Sequence, residues 1–185
     1  MSEKPKIHHR KIVAQSRLFK IEAQDIEFRN GATRQYERLM RGSSSNGAVL
    51  IVPLIDNETV LLIREYSAGV ERYELGLAKG KIDRGETAIQ AANRELKEEV
   101  GFGARKIEQI SSFSIAPSYM EHMTEIILVQ DLYPEKLPGD EPEELEVVPW
   151  KLDNLAELVS NGQCTEARSI AALYMVRDYI LKKIN

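Results

Sequence analysis

GKIDRGETAIQAANRELKEEVGF, residues 80–102, decides how the rest of this chain is read. Thr87 to Val100 predicts a helix. Thr87 and Gln90 form a capping box at its start, and Gly101 stands where a C-terminal glycine cap belongs. At about 100° per residue, Glu95, Glu98 and Glu99 fall within roughly one third of the helix circumference. Ile89, Ala92, Leu96 and Val100 make the adjoining stripe, expected to be the buried face. The carboxylates are therefore expected beside the core-facing side. Like charges three and four residues apart repel, so this stripe costs stability unless a cation sits against it. Hard carboxylate oxygens with room for water and phosphate suit Mg²⁺ or Mn²⁺. Arg94 lies four residues before Glu98 and can reach back to the loop carrying Glu86, where its fork would orient a carboxylate. Gly80 and Gly85 bracket a tight loop able to bring backbone carbonyls to a metal.

Outward from the helix, AVLIVPLI (48–55) and TVLLIREY (59–66) are apolar runs around an Asp56-Asn57 turn, and they predict strands covered on both faces. YELGLAKG (73–80) reads as a strand dissolving into a glycine-containing loop. Further strands are expected near Ile107–Ile115, Glu125–Leu132 and Leu145–Trp150, and helices near Asp153–Ser160 and Thr165–Lys182. Towards the N-terminus, Ile12 to Leu39 reads as strand, turn, strand, with Asn30-Gly31 as the hairpin signal. RGSSSNG (41–47) is a polar connector. The expected division is an N-terminal β region over 1–45 and a main domain over 46–185. Strands mixed with helices in this order predict an α/β sandwich.

Bulk properties narrow the class. The chain has 185 residues, 43% hydrophobic, and a formal charge of −4. Nucleic-acid binding needs clustered Lys and Arg, so no nucleic-acid partner is expected. Cys164 is the lone cysteine, which suits a reducing compartment. The polar N-terminus and the lack of a long apolar stretch predict a cytoplasmic protein with no membrane partner.

A lone E-x-x-E-E is usually a solvated helix face. The longer pattern G-x5-E-x7-R-E-U-x-E-E-x-G-U, with U a bulky apolar residue, is met by Gly80, Glu86, Arg94, Glu95, Leu96, Glu98, Glu99, Gly101 and Phe102. A chance match is on the order of 10⁻⁶ at ordinary residue frequencies. This pattern is the Nudix box, and the chain resembles the Nudix hydrolase superfamily. The segments YERL (36–39), LIREYSAGVERYELGLAKG (62–80), APSY (116–119), QDLYPE (130–135) and EARSIAAL (166–173) are similar to its ADP-ribose pyrophosphatase branch. Within that branch they are similar to the bacterial hydrolases of ADP compounds.

The resemblance implies a Nudix α/β/α sandwich with a mixed sheet and an N-terminal antiparallel β extension. It implies Glu95 and Glu99 as metal ligands, Glu98 as ligand or general base, and the Lys79 carbonyl completing the shell. Arg94 and Glu86 would orient the ligands. The implied reaction is attack of water on a nucleoside diphosphate derivative, with ADP-ribose, NADH and short diadenosine polyphosphates as candidates. It also implies a homodimer in which the N-terminal region exchanges or packs across the interface. Relatives carry Gln-Tyr-Arg where this chain has Glu65-Tyr66-Ser67, so an arginine is missing. They also place a catalytic glutamate after the proline equivalent to Pro117. Here Glu121 is offset by about one residue, and Glu121, Glu125 and Glu98 stay open as the base.

Candidate substrate contacts are Tyr36, Phe28 and Tyr119 for stacking on adenine, and Arg38, Arg64, Lys79 and Lys81 for the diphosphate. Each also has an ordinary reading as a sheet aromatic or surface cation. His8-His9 reads as a disordered tail, Cys164 as a structural thiol, and the acidic loop marked by Pro134, Pro138, Pro142 and Asp140-Glu141 as an ordinary solvated loop, with a cover over the site as the other reading. Two other functions compete with hydrolysis. A prenyl-diphosphate isomerase would need a dedicated Cys–Glu pair near the site, and Cys164 lies far along the chain. A silent nucleotide-binding module would be expected to lack box carboxylates, and this box is complete. A hydrolase of another nucleoside diphosphate derivative differs only in its recognition residues.

Overall fold

The computed structural model describes residues 3–40 and 47–184, with side chains to Lys182. Strand β4 (Ala48–Pro53) and the first five residues of β5 (Thr59–Ser67) are buried on both faces, as their apolar runs require, while β5 emerges from Arg64 onward. β4 lies inside a mixed sheet ordered β7-β4-β9-β8, with β7 (Lys79–Lys81), β8 (Phe102–Ser114) and β9 (Met123–Pro134). β4 and β9 run parallel, from Ala48↔Thr124 to Pro53↔Val129. A second sheet pairs β5 with β6 (Arg72–Gly76) and β10 (Glu146–Lys151).

Strand periodicity splits the core in two. Val49, Ile51, Ile127 and Val129 pack with Ala91, Ala92, Leu96 and Val100 of the box helix. Leu50, Val52, Ile126 and Leu128 pack instead with Ala172, Leu173, Val176 and Ile180. The latter belong to α3 (Ala167–Ile184), which follows the short α2 (Leu155–Ser160). The layers are α/β/α, as expected. Each β4 side chain pairs with one helix layer or the other, so a slip of one residue would exchange the two sets.

Three local expectations are corrected. The strand expected to dissolve into a loop over 73–80 does leave its sheet after Gly76, but only for the buried Leu77 and Ala78; Lys79–Lys81 then pair antiparallel with β4 as β7. The N-terminal region holds three strands: β1 (Lys6–Gln15), β2 (Lys20–Glu27) and β3 (Thr33–Leu39). His8 and His9 therefore lie in β1 and not in a tail, and His8 Nε2 meets Glu27 Oε2 at 2.6 Å. β1 is exposed along its whole length, so no alternation marks it. The Asn30-Gly31 turn joins β2 to β3 as expected, with Gly31 at φ 77°. Except for Gly47, the connector expected over 41–47 lies outside the described residues. Among the described residues, no helix is long and apolar enough to cross a membrane.

Candidate active site

The box helix begins as the sequence predicts. Thr87 Oγ1 accepts from Gln90 N–H, and the Gln90 side chain returns to Thr87 N–H at 2.9 Å. α1 (Ala88–Glu95) then opens into a π-helical turn over Leu96–Val100. Gly101 closes it at φ 81°, donating its N–H to the Leu96 carbonyl at 3.1 Å. Such widened turns recur at functional sites. Here the turn holds Glu98 and Glu99.

The buried face is rotated from its expected place. Ile89 is 37% exposed and leaves the stripe, while Ala91 joins Ala92, Leu96 and Val100 inside. Small residues on that face let the helix approach the sheet closely, and the rotation carries carboxylates inward. Glu99 is only 7% exposed, so it lies within the buried face and not beside it. Its Oε2 accepts the Lys79 N–H at 3.0 Å. Glu95 lies directly over the α-carbon of Gly80, filling the space a side chain would take.

Arg94 fastens the cluster. Its Nε and one terminal nitrogen hold the two oxygens of Glu86 at 2.9 and 3.1 Å. The other terminal nitrogen bridges Glu95 at 2.7 Å and Glu98 at 2.9 Å. The Lys81 carbonyl takes a further donor at 3.0 Å. All five N–H groups of the guanidinium are thus engaged. Glu86 is held below the usual carboxylate range by the Arg94 bond, against burial and with help from Asp83 N–H.

The inner carboxyls behave oppositely. Burial pushes Glu99 up to about 8; Glu95 and Glu65 push the same way, and Lys79 opposes them. Glu95 is also raised, by burial first and then Glu98 and Asp140, against Arg94. Desolvated carboxyls with too little positive charge nearby are a site for a cation. Among the described residues, no three acidic, imidazole or thiol groups stand close enough together to hold a metal ion as they are placed. The donor set still fits a hard divalent ion: carboxylate oxygens cradled over a glycine, one of them deeply desolvated.

The acidic loop is not merely solvated. Lys136 Nζ donates to the Glu98 carbonyl at 2.8 Å, and Leu137 N–H to the Lys97 carbonyl at 3.2 Å. Tyr73 Oη donates to Glu143 at 2.8 Å. Burial raises the Glu141 carboxyl, as do Glu65 and Asp140. The open turn after Glu98 leaves carbonyls that this loop satisfies, so it rims the box. Glu65, read from the sequence as standing in for a glutamine of similar proteins, has the Lys79 ammonium as its partner. Sequence reading noted the exchange but not the partner, because the pair joins different strands.

Tyr36, Phe28 and Tyr119 come together in a second feature, a cavity of about 450 Å³ between the N-terminal sheet and residues 117–121. Phe28 and Tyr36 meet tilted, with ring centroids 6.2 Å apart. Arg38 is also at this cavity, and its contacts are Glu22 at 3.0 Å and Glu121 at 3.2 Å. Lys81 and Glu121 line a neighbouring cavity of about 550 Å³. Arg64 is paired across strands with Glu146 at 2.7 Å. Glu125 accepts from Gln109 at 2.6 Å and Ser112 at 3.3 Å. Cys164 is buried, and burial raises its thiol to about 11, as a structural role expects.

Comparison with known proteins gives consistent matches. The NUDIX domain model matches residues 45–173, and the model of the NudE-type Nudix hydrolase N-terminal domain matches 5–38. The chain is 48% identical to the ADP compounds hydrolase NudE of Escherichia coli (strain K12), over 96% of this chain and 94% of that protein. It is 26% identical to the ADP-ribose pyrophosphatase of Bacillus subtilis (strain 168), over 88% and 90%. A crystal structure of an ADP compounds hydrolase superposes with a TM-score of 0.88 at 48% identity, covering 98% of this chain and 96% of that one.

Proposed function

The chain belongs to the Nudix hydrolase family as a pyrophosphohydrolase, and from that premise we propose that it cleaves the diphosphate of ADP-linked compounds and releases AMP. ADP-ribose, NADH and short diadenosine polyphosphates are the candidate substrates, and Mg²⁺, or Mn²⁺, is the candidate ion. The desolvated pair Glu95 and Glu99, anchored by Arg94 and lying over Gly80, carries this reading. Glu95 and Glu99, with the Lys79 carbonyl, would hold the ion, and Glu98 stands beside them. When bound, the ion supplies positive charge to the phosphate oxygens and lowers the pKa of water.

We assign the general base to Glu98. Glu121 and Glu125 are each held by side chains outside the box, whereas Glu98 is oriented by Arg94 within it. As water attacks one phosphorus, a P–O bond forms and the bridging P–O bond breaks. The proton of the water passes to Glu98, and the other phosphate leaves. Lys79 and Lys81 flank Gly80 and are assigned to the diphosphate. Tyr36, Phe28 and Tyr119 are assigned to the adenine, since all three line one cavity and their ring faces can stack on a base.

A panel of nucleotides, with and without chelator and read by coupled phosphate release, tests the assignment. ADP-ribose and NADH should lead it, and chelator should abolish turnover. A preference for 8-oxo-nucleoside triphosphates would refute the substrate class. We also assign residues 1–45 to dimerisation and 46–185 to the hydrolase domain, in a cytoplasmic homodimer. Exposed Ile7, Ile12 and Val13 on β1, with Leu18 and Phe19 in the turn that follows it, support this. A monomer by light scattering would refute it.

A further inference from the structure

Arg38 was expected to hold phosphate, yet its guanidinium bridges two carboxylates. Nε donates to Glu22 at 3.0 Å, and a terminal nitrogen lies 3.2 Å from Glu121. Glu22, on β2, has only 7% of its side chain exposed. The same Glu22 oxygen also takes the Gln24 amide at 2.5 Å, and Arg10 stands 3.9 Å away. Glu121 belongs to the segment after Pro117. The backbone joins that segment to the end of β3 at the same place. Leu39 N–H donates to the Tyr119 carbonyl at 2.7 Å, and Glu121 N–H to the Leu39 carbonyl at 3.0 Å. Leu39 and Met120 thus form a parallel bridge.

An isolated exposed ion pair contributes little, because both side chains wander. Arg38 does not wander, since the buried Glu22 fixes one edge of its fork and the other edge projects to Glu121. The cavity beside this junction has Tyr36 on the β3 wall and Tyr119 on the opposite, loop wall. Arg38, through Glu121, and the two backbone bonds of Leu39 tie β3 to the loop at this cavity.

We propose that Arg38 is a positioning residue: anchored on Glu22, it acts through Glu121 to hold segment 117–121 against β3 and so sets the width of the aromatic slot for a flat nucleobase. The slot's ligand class rests on the reading under Proposed function. Substrate contact by Arg38 is not part of the role.

The experiment compares Arg38→Ala, Arg38→Lys, Glu121→Gln and the double variant Arg38→Ala/Glu121→Gln with the parent, using full-length chain, ADP-ribose and Mg²⁺. A loosened slot weakens binding and leaves chemistry alone. KM should rise roughly tenfold in Arg38→Ala and Glu121→Gln, with kcat within about threefold. The double variant should be no worse than Arg38→Ala, because the two residues act as one unit. Arg38→Lys should recover part of the loss. Amide exchange at Leu39 and at position 121 in the ligand-free Glu121→Gln chain should speed up about tenfold, as local opening becomes easier. If Arg38→Ala fails to fold through its stranded Glu22, Glu121→Gln alone decides. A fall in kcat at unchanged KM would overturn the proposal by placing Glu121 in proton transfer. Multiplying effects with unchanged exchange would overturn it by placing Arg38 on the substrate. If the parent prefers a non-adenylyl diphosphate, the substrate assignment falls, while exchange and the double variant on that diphosphate still decide the positioning role.

Discussion

Gly80→Ala is the most direct challenge to the geometry of the box. A β-carbon at this position would lie 2.0 Å from Glu95 Cδ and Oε1, and 2.5 Å from Oε2. Ordinary contact starts near 3.4 Å, so the carboxylate or β7 must retreat by about 1.4 Å. The backbone conformation does not demand glycine here; the space does. Mg²⁺ holds its oxygens at about 2.0–2.1 Å in near-ideal octahedral geometry, and a working site tolerates about 0.5 Å of error. The retreat exceeds that tolerance, and a misplacement of about 1 Å already costs on the order of 10²-fold in rate. It also strains the 2.7 Å Arg94–Glu95 bond, a charged hydrogen bond worth about 1.5–3 kcal/mol. Initial rates across a Mg²⁺ titration, with melting in excess chelator as control, read these effects separately. At fixed Mg²⁺, kcat/KM should drop at least about 10²-fold, and half-saturating Mg²⁺ should rise about tenfold. Turnover and half-saturation both within about threefold of the parent would refute the claim that Gly80 exists to seat Glu95.

Glu99→Gln should lower turnover by roughly 10³-fold or more, since it withdraws a charged ligand from the ion; a loss under tenfold on the same assay would contradict its role. The pH dependence of metal-free stability follows from Glu99. Its folded carboxyl sits at about 8 against 4.5 unfolded, so the folded chain binds the extra proton between those values, and this stabilisation fades as pH rises. Between roughly pH 5.5 and 8 the melting temperature in chelator should fall, while saturating Mg²⁺, which displaces that proton, removes the slope. Parallel profiles in the two buffers would sink this account. Thr87→Ala should cost about 1 kcal/mol through the lost cap, or about 2–4 °C in melting, with metal dependence unchanged. A shifted Mg²⁺ titration would show that the cap reaches the site.

The box could be read from the chain because its constraints are local. Thr87, Gln90, Arg94 and Gly101 act within one helix and its adjoining loop, so spacing alone fixes their partners. The twofold-covered β4 and first five residues of β5 were legible for the same reason, through their apolar runs. What escaped was set by distant contacts. Ile89 was assigned inward by an ideal helical wheel, but Ala91 and a π turn chose another face. Strand β1 has no buried side to advertise itself. The partners of Glu65, Arg38 and the Glu98 backbone carbonyl come from other strands and loops, and no spacing rule brings Lys79, Glu22 or Lys136 to them.

Arg94 spends every proton it can offer on its own chain, which leaves the reaction's hardware bolted together from within. Nothing in that fastening consults the N-terminal sheet or the aromatic slot, so descendants can rewrite whom they recognise while inheriting the cutting apparatus intact. The same economy makes the bolt a shared point of failure. Loosen it, and Glu86, Glu95 and Glu98 lose their common partner in one event.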